Sequence, residues 1–183
     1  MLILASASAR RHDLLCAAGI DHVVRPTSVP EIRRSGEAPA DFVQRLAFEK
    51  ASAAPREPAD VVLGADTIVC LEGEVLEKPK DDADACRMLR LLSGNRHRVF
   101  TGLCLLKGAS CLLDLATTHV CFAELTEREI LDYTRSGEPA GKAGAYAIQG
   151  LASKFIVSIE GSYQNVVGLP VSLVYRHLKT LCL

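Results

Sequence analysis

Short apolar runs that alternate with helix-like stretches constrain the fold of this chain more than any other feature. Residues 2–5 and 61–65 are continuous apolar runs of strand length, which is typical of buried strands. Between them lie one helix-like stretch that ends at Gly19 and a second that begins near Pro39 and stops at Pro55. This early alternation of strands and helices predicts a sheet covered by helices.

The second half of the chain adds longer strands. Residues 98–106 and 111–124 are predicted to form a long hairpin, so the sheet is expected to be mixed, with flanking helices. Further helices are predicted over residues 81–92, from the capping box at Thr126–Glu129 and from Pro170 onward. Shorter strand-like pieces are predicted near residues 146–148, 155–159 and 165–167.

The composition is that of a globular domain and excludes several classes of function. The 183 residues carry 21 Lys+Arg and 22 Asp+Glu, and this balance argues against a nucleic-acid-binding protein. No apolar stretch has the length of a membrane helix, and charged residues from Arg10 onward interrupt any secretory signal, so we expect a cytoplasmic protein with no membrane partner. Because no linker divides the chain, a single domain over residues 1–183 is expected.

The seven cysteines predict neither a disulfide framework nor a structural zinc site. Their number is odd, no C-x-x-C pair occurs, and most of them lie inside apolar runs. Free thiols, mostly buried, are the expected state in a reducing compartment.

Small residues followed by Arg10 and Arg11 come directly after the first predicted strand. Free N–H groups at a helix N-terminus attract anions, and arginine binds phosphate in a bidentate manner. A serine cap followed by two surface arginines explains the same residues, and the motif by itself leaves both interpretations open.

Asp66 and Thr67 follow the second apolar run. A carboxylate at the carboxyl end of a buried strand lies where open α/β sheets bind ligands, so Asp66 is a candidate for holding a divalent metal or for taking a proton from water. A local turn bond between Asp66 and Thr67 is the alternative.

Lys78, before a proline, and the glycine-rich residues 136–150 add further candidates. Within that segment Lys142 supplies a charge, and Gln149 carries the donor and acceptor needed to read a base edge. A solvated lysine and a flexible turn are the alternatives. Taken together, these cations, a carboxylate and glycine-rich loops suit a polyphosphate with a divalent cation.

Seven segments in order along essentially the whole chain form one set: residues 4–11, 45–51, 64–69, 78–79, 93–97, 142–150 and 165–170. Together they resemble the Maf family. The resemblance implies a nucleoside triphosphate pyrophosphatase that cleaves between the α- and β-phosphates with Mg²⁺ or Mn²⁺. It also implies a homodimer and an elongated, inosine-triphosphatase-like α/β fold with a mixed sheet and a central cleft between two lobes.

The resemblance also assigns roles to individual residues. Asp66 corresponds to the proton acceptor that activates water, and Glu31 and Asp66 to metal-proximal carboxylates. The positions that separate the family's substrate classes carry Arg10, Thr67 and Gln149, a combination similar to the branch that prefers dTTP and UTP. The triphosphate site corresponds to Ser8, Arg11, Lys50, Lys78 and Lys142, of which Lys50 and Lys78 are also assigned to catalysis.

Three positions depart from the family's pattern. Ala9 replaces a proline, Gly141 stands where an aspartate commonly precedes Lys142, and Ala147 replaces a glycine. If position 147 needs a positive φ, alanine there costs about 1 kcal/mol. Gly141 and Ala147 keep a second function open, a nucleotide-binding regulator of cell division or septum formation with weak or no catalysis. A house-cleaning enzyme for modified pyrimidine triphosphates is a third.

Overall fold

The computed structural model describes residues 1–181, and Cys182, one of the expected free thiols, lies outside this range. The strands are β1 (Leu2–Leu4), β2 (Val23–Val24), β3 (Val61–Leu71), β4 (Glu74–Leu76), β5 (Arg96–Lys107), β6 (Ser110–Phe122) and β7 (Ile156–Glu160). The helices are α1 (Ala9–Ala17), α2 (Pro39–Ala53), α3 (Asp82–Leu92), α4 (Glu127–Arg135), α5 (Tyr163–Val167) and α6 (Val171–Thr180). Short 3₁₀ turns cover Ala143–Ala145 and Leu151–Phe155.

The strands form one mixed sheet in the order β2-β1-β3-β5-β6-β7, with β4 beside β3. Strand β1 pairs parallel with β2 and β3, whereas β4 pairs antiparallel with β3 and β7 antiparallel with β6. The predicted mixed sheet with flanking helices is therefore confirmed. Strand β1 is buried throughout, as is β3 up to Asp66, and this is why both read as continuous apolar runs.

Two compact units can be distinguished within the chain. Unit 1 comprises Met1–Thr67, Thr101–Ala116 and the residues from Gly168 onward, and unit 2 comprises Ile68–Phe100 and Thr117–Val167. The long strands β3, β5 and β6 contribute residues to both units. Two compact units can be parts of one domain, so the single domain over residues 1–183 stays a prediction.

Two of the short strand predictions are wrong, and the third, over residues 155–159, matches β7. Residues 165–167 belong to α5, because the Ser162 hydroxyl accepts a bond from the Asn165 amide at 3.2 Å and starts a turn. The Asn165 side chain then donates to the Val99 carbonyl at 3.1 Å. Residues 146–148 lie outside any strand, and the burial of Tyr146 and Ile148 explains the apolar pattern there. Tertiary contacts thus override β-propensity in both segments.

Helix α2 lies unusually close to the sheet in unit 1, because glycines stand beneath it. A Cβ added at Gly64 would lie 2.1 Å from the Ala47 carbonyl oxygen, and one added at Gly102 would lie 2.3 Å from the Val43 carbonyl oxygen. No side chain fits in either place, so these glycines permit backbone contact between α2 and strands β3 and β5. This close contact determines what the side chains of α2 can reach.

His97 is the centre of a buried aromatic group in unit 2. Its ring is 1% exposed, its Nε2 lies 2.9 Å from the Tyr146 hydroxyl oxygen, and it packs edge-on against Phe122. Burial lowers the pKa of His97 to about 4, so the ring is neutral at pH 7. His97 is therefore a hydrogen-bonded core histidine.

We expect the protein to lose stability on acidification because of His97. The unfolded chain protonates this histidine near pH 6.5, whereas the folded chain does so only near pH 4. Stability is therefore fully present above pH 6.5 and falls by roughly 3 kcal/mol as the pH drops toward 4. Urea unfolding of the wild type and His97→Gln at pH 7 and pH 4.5 measures this. The variant should show a smaller fall, and equal falls would contradict the assignment.

The described cysteines are all free thiols, as expected. Cys70, Cys86 and Cys104 are buried, Cys121 is half-buried, and Cys16 and Cys111 are exposed. Within residues 1–181, no helix is long and apolar enough to cross a membrane.

Candidate active site

Two carboxylates share one buried ammonium group in unit 1. The Lys50 Nζ atom donates to Asp66 Oδ1 at 2.6 Å and to Glu31 Oε1 at 2.5 Å. Lys50 and Asp66 are only 7% and 6% exposed, whereas Glu31 is exposed and lies in the loop after β2. In the sequence, Lys50 is 16 residues from Asp66 and 19 residues from Glu31. The three side chains therefore meet only because the chain folds.

The glycine under α2 explains why Lys50 meets Asp66. Residues two apart in a strand point to the same face, so Gly64 and Asp66 both face α2. With no side chain at Gly64, the last turn of α2 approaches the strand closely enough for Lys50 to reach the carboxylate. Asp66 lies inside β3 and not after its end, because the strand continues to Leu71.

The position of Asp66 changes its acidity. Burial raises the pKa of its carboxyl group, and the nearby positive charges of Lys50 and Arg11 oppose that shift. The raised pKa makes the ionised Asp66 a stronger base than an ordinary aspartate. A buried carboxylate with a raised pKa, held by an ammonium, is suited to accepting a proton from water.

Arg11 is buried, and its guanidinium is committed to the protein itself. Nε donates to the Gly168 carbonyl at 2.9 Å, and Nη1 donates to the Ala65 carbonyl at 2.8 Å. The remaining bonds run from Nη1 to Ser6 Oγ at 3.1 Å and from Nη2 to Thr67 Oγ1 at 3.1 Å. These are four bonds for a group with five N–H donors, which leaves one donor for a ligand.

Ser8 and Arg10 lie at the start of α1, and both are half-buried. Ser8 occupies the N-cap position of α1, but its side chain accepts no hydrogen bond from the helix amides. The serine cap that the sequence allowed is therefore not formed. Thr67 is half-buried beside Arg11, and its hydroxyl also lies 2.9 Å from the Thr101 hydroxyl. The predicted turn bond between Asp66 and Thr67 is replaced by these contacts.

The other predicted residues lie in unit 2. Lys78 and Gln149 are exposed, and Lys142 is half-buried, with its Nζ donating to the Glu138 carbonyl at 2.6 Å. The Glu138 carboxylate in turn accepts bonds from the Tyr133 hydroxyl at 2.8 Å and the Leu151 amide at 2.9 Å. This acidic side chain therefore fixes the ends of the glycine-rich segment that carries Lys142 and Gln149.

Two of the three departures from the family's pattern, Gly141 and Ala147, are free of backbone strain. Among the described residues, positive φ values outside glycine occur at Glu72 and Ala145, so Ala147 carries no such strain. Gly141 has φ +69°, a conformation that glycine adopts without cost. Gly144 must stay glycine, because a Cβ there would lie 2.8 Å from the Val69 side chain.

Sequence reasoning assigned no individual role to Ser6, Thr101 or Gly102, which are parts of the site's framework. Ser6 and Thr101 hold Arg11 and Thr67 through their hydroxyls, and Gly102 lets α2 approach the sheet. Their signal in the sequence was weak, since a small residue in an apolar run has many structural uses. The contacts that give them a role come from residues distant in sequence.

The mixed sheet and the buried Lys50–Asp66 pair define an α/β protein with a charged candidate active site. The Maf-like protein family model matches residues 1–181. The chain therefore belongs to the Maf family.

Relatives within the family carry informative names. The dTTP/UTP pyrophosphatase of Koribacter versatilis is 51% identical over 179 residues, which cover 97% of this chain and 93% of that protein. The dTTP/UTP pyrophosphatase of Anaeromyxobacter dehalogenans strain 2CP-C is 52% identical and covers 93% of this chain and 89% of that protein. Among solved structures, the Staphylococcus aureus Ham1 protein matches 67% of this chain and 72% of its own, with a TM-score of 0.49 and 16% identity.

Proposed function

We propose that this protein is a nucleoside triphosphate pyrophosphatase that hydrolyses dTTP and UTP to the monophosphate and pyrophosphate. The observation that carries the proposal is the buried Asp66 carboxylate, held by Lys50 and raised in pKa by burial. Relatives at about half identity over nearly the full chain are named for this activity, which supports the same assignment here.

A divalent cation fits the residues that surround Lys50. Asp66 and Glu31 each have a second carboxylate oxygen besides the one bonded to Lys50, and Mg²⁺ and Mn²⁺ prefer such hard oxygen ligands together with phosphate oxygens and water. We assign Glu31 and Asp66 as the residues that would hold it. When bound, the cation would neutralise charge on the phosphoryl oxygens.

In the proposed reaction Asp66 accepts a proton from the attacking water. The water oxygen forms the new bond to the α-phosphorus, and the bridging P–O bond breaks, with its electron pair leaving on pyrophosphate. Lys50 donates to Oδ1 of Asp66, so we assign the other oxygen, Oδ2, to the water. Because the base is buried and already oriented, little reorganisation is needed when the proton moves.

The phosphates are proposed to approach the N-terminus of α1. Ser8 leaves its hydroxyl and the first helix amides uncapped by its side chain, and Arg10 is half-buried at the first turn. Helix N-termini and arginines both favour anions. Arg11 contributes mainly by holding Ser6, Thr67 and the backbone at Gly168 in place.

Other assignments stay predictions from the family resemblance. They include the homodimer, the cytoplasmic location, and the contacts of Lys78, Lys142 and Gln149 with the nucleotide. The pyrimidine preference attributed to Arg10, Thr67 and Gln149 is likewise a prediction from the family resemblance. The alternative function, a nucleotide-binding regulator without catalysis, rests on Gly141 and Ala147. Ala147 carries no positive φ, so this residue no longer supports that function.

The deciding experiment is pyrophosphate release from a panel of nucleoside triphosphates with Mg²⁺, Mn²⁺ or EDTA. We expect turnover of dTTP and UTP that requires the metal, with values of kcat/KM at least about 10-fold lower for purine substrates.

Gln149→Leu should lower kcat/KM for UTP by about 10-fold, since it removes both the donor and the acceptor.

Two outcomes would contradict the proposal in different ways. Tight binding of triphosphates without release of pyrophosphate under any metal would favour the nucleotide-binding regulator. Equal turnover of purines and pyrimidines would leave the reaction in place and remove the specificity assigned to Arg10, Thr67 and Gln149.

A further inference from the structure

A second group of metal-binding side chains lies on the surface of unit 1, and it uses none of the residues assigned to the reaction. It consists of His12 and Cys16 on α1 and His22 just before β2, which we call the HCH cluster. One ligand atom from each lies within 4.8 Å of the others. His12 and Cys16 are exposed and His22 is half-buried, so dissolved ions can reach all three.

The end of α1 is built so that His22 returns to the helix. Gly19 has φ +65°, its amide donates to the Cys16 carbonyl at 3.0 Å, and the Ile20 amide donates to the Leu15 carbonyl at 3.0 Å. These two bonds form a Schellman motif, which reverses the chain at the helix end. His12 and Cys16, four residues apart, lie on one face of α1, and the reversed chain places His22 against that face.

The hydrogen bonds fix His22 in the form that ligates metals. Its Nδ1 lies 2.8 Å from the Ile20 carbonyl oxygen, which can only accept, so Nδ1 carries the proton. Nε2 of the neutral ring therefore presents its lone pair, and it points at His12 Nδ1 at 2.8 Å. A histidine that donates its other N–H to a backbone carbonyl is the usual arrangement around protein-bound zinc.

Two of the three distances between ligand atoms are close to those around a tetrahedral ion, and the third, from Cys16 Sγ to the His22 ring, lies within 4.8 Å. Cys16 Sγ lies 3.6 Å from His12 Nε2 and 3.8 Å from His12 Nδ1. Around tetrahedral zinc, nitrogen and sulfur ligands are about 3.6 Å apart and two nitrogens about 3.3 Å apart. The two histidine nitrogens, now joined by a shared proton, would separate by about 0.5 Å when a metal takes its place.

We infer that the HCH cluster is a binding site for Zn²⁺ or a similar borderline transition-metal ion. His12 Nδ1, His22 Nε2 and the Cys16 thiolate provide three ligands, and water completes the coordination. On binding, the Cys16 thiol proton goes to solvent and the ring proton of His12 moves from Nδ1 to Nε2. Imidazole and thiolate ligands select such ions over Mg²⁺, so this site and the carboxylates at Lys50 take different metals.

Cobalt titration tests the site directly, because Co²⁺ bound by a thiolate absorbs light in a way that Co²⁺ bound by oxygen does not. With Mg²⁺ in excess, the wild type should bind one equivalent of Co²⁺ with a thiolate-to-cobalt band, and Zn²⁺ should displace it. Cys16→Ser should abolish the band, and His22→Gln should weaken Zn²⁺ binding by at least about 10-fold. Asp66→Asn should leave the spectrum unchanged.

Cys111→Ser is the matched control, since Cys111 is also an exposed free cysteine of unit 1. It should bind Co²⁺ and Zn²⁺ as the wild type does. Zinc should also raise the Tm of the wild type and of Cys111→Ser but not of Cys16→Ser. The inference is overturned if the wild type shows no thiolate-to-cobalt band. Equal zinc affinity in Cys16→Ser, His22→Gln and the wild type would overturn it as well.

Discussion

Replacing Asp66 with asparagine should lower kcat for pyrophosphate release from UTP by about 10³-fold or more, because the amide cannot accept a proton from water. The side chain keeps its size, and Lys50 keeps the Glu31 carboxylate as a partner, so the fold should persist. Asp60→Asn is the matched control, since Asp60 is equally buried next to the start of β3 and lies outside the site. It should retain the wild-type kcat.

The same variant has a predicted effect on stability that depends on pH. Burial raises the pKa of Asp66 in the folded state, so the folded chain holds that proton more tightly than the unfolded chain. The stability contributed by this carboxyl is therefore present below its usual pKa of 3.8 and is lost as pH rises through the raised value. Relative to the wild type, Asp66→Asn should gain stability across that interval.

Stopped-flow or end-point detection of pyrophosphate gives kcat, and urea unfolding at several pH values gives the stability difference. Wild-type turnover in a folded Asp66→Asn preparation would remove the role of proton acceptor from this residue. A stability difference that shrinks as the pH rises would contradict the raised pKa and leave the catalytic assignment to be judged by kcat.

Arg11→Lys should destabilise the protein by about 3 kcal/mol, although the charge is kept. A lysine ammonium cannot reproduce the planar fork that joins Gly168, Ala65, Ser6 and Thr67, so buried acceptors lose their donors. The comparison is Arg10→Lys, the same substitution one residue earlier at a half-buried position, which should change stability by no more than about 0.5 kcal/mol.

Chemical unfolding at pH 7 measures both arginine variants. Equal, small effects would mean that the bonds of Arg11 add little and that its place in the site is limited to ligand binding. A large effect at Arg11 alone would identify it as the residue that joins β3 to the start of α1 and the segment at Gly168. In that case, part of any loss of activity in Arg11→Lys comes from its lower stability.

Local patterns were enough to predict much of the fold. The capping box at Thr126 and Glu129 is formed, with the Thr126 amide donating to the Glu129 carboxylate at 2.8 Å. Helix α1 ends before Gly19, which has a positive φ, as the sequence predicted. Each of these signals needs only neighbours in the chain, which is why it can be read without the structure.

The candidate site was predicted as a set of residue types but not as an arrangement. The sequence resemblance gave Lys50, Asp66 and Glu31, yet only the structure shows one ammonium between two carboxylates. The sequence predicted Arg11 as a phosphate ligand, and its guanidinium proves to be mostly occupied by protein acceptors, one of them 157 residues away. The three members of the HCH cluster were likewise present in the sequence without a pattern that joined them.

By itself, the sequence determined the family, the mixed sheet with its flanking helices, and the residues available for chemistry, because periodicity, turn residues and ordered motifs are local or linear features. The tertiary structure decided which of these residues meet and what surrounds them. Gly64 and Gly102 illustrate the difference, since their lack of a side chain matters only where α2 crosses them. Burial, which sets the basicity of Asp66, exists only once distant parts of the chain have packed together.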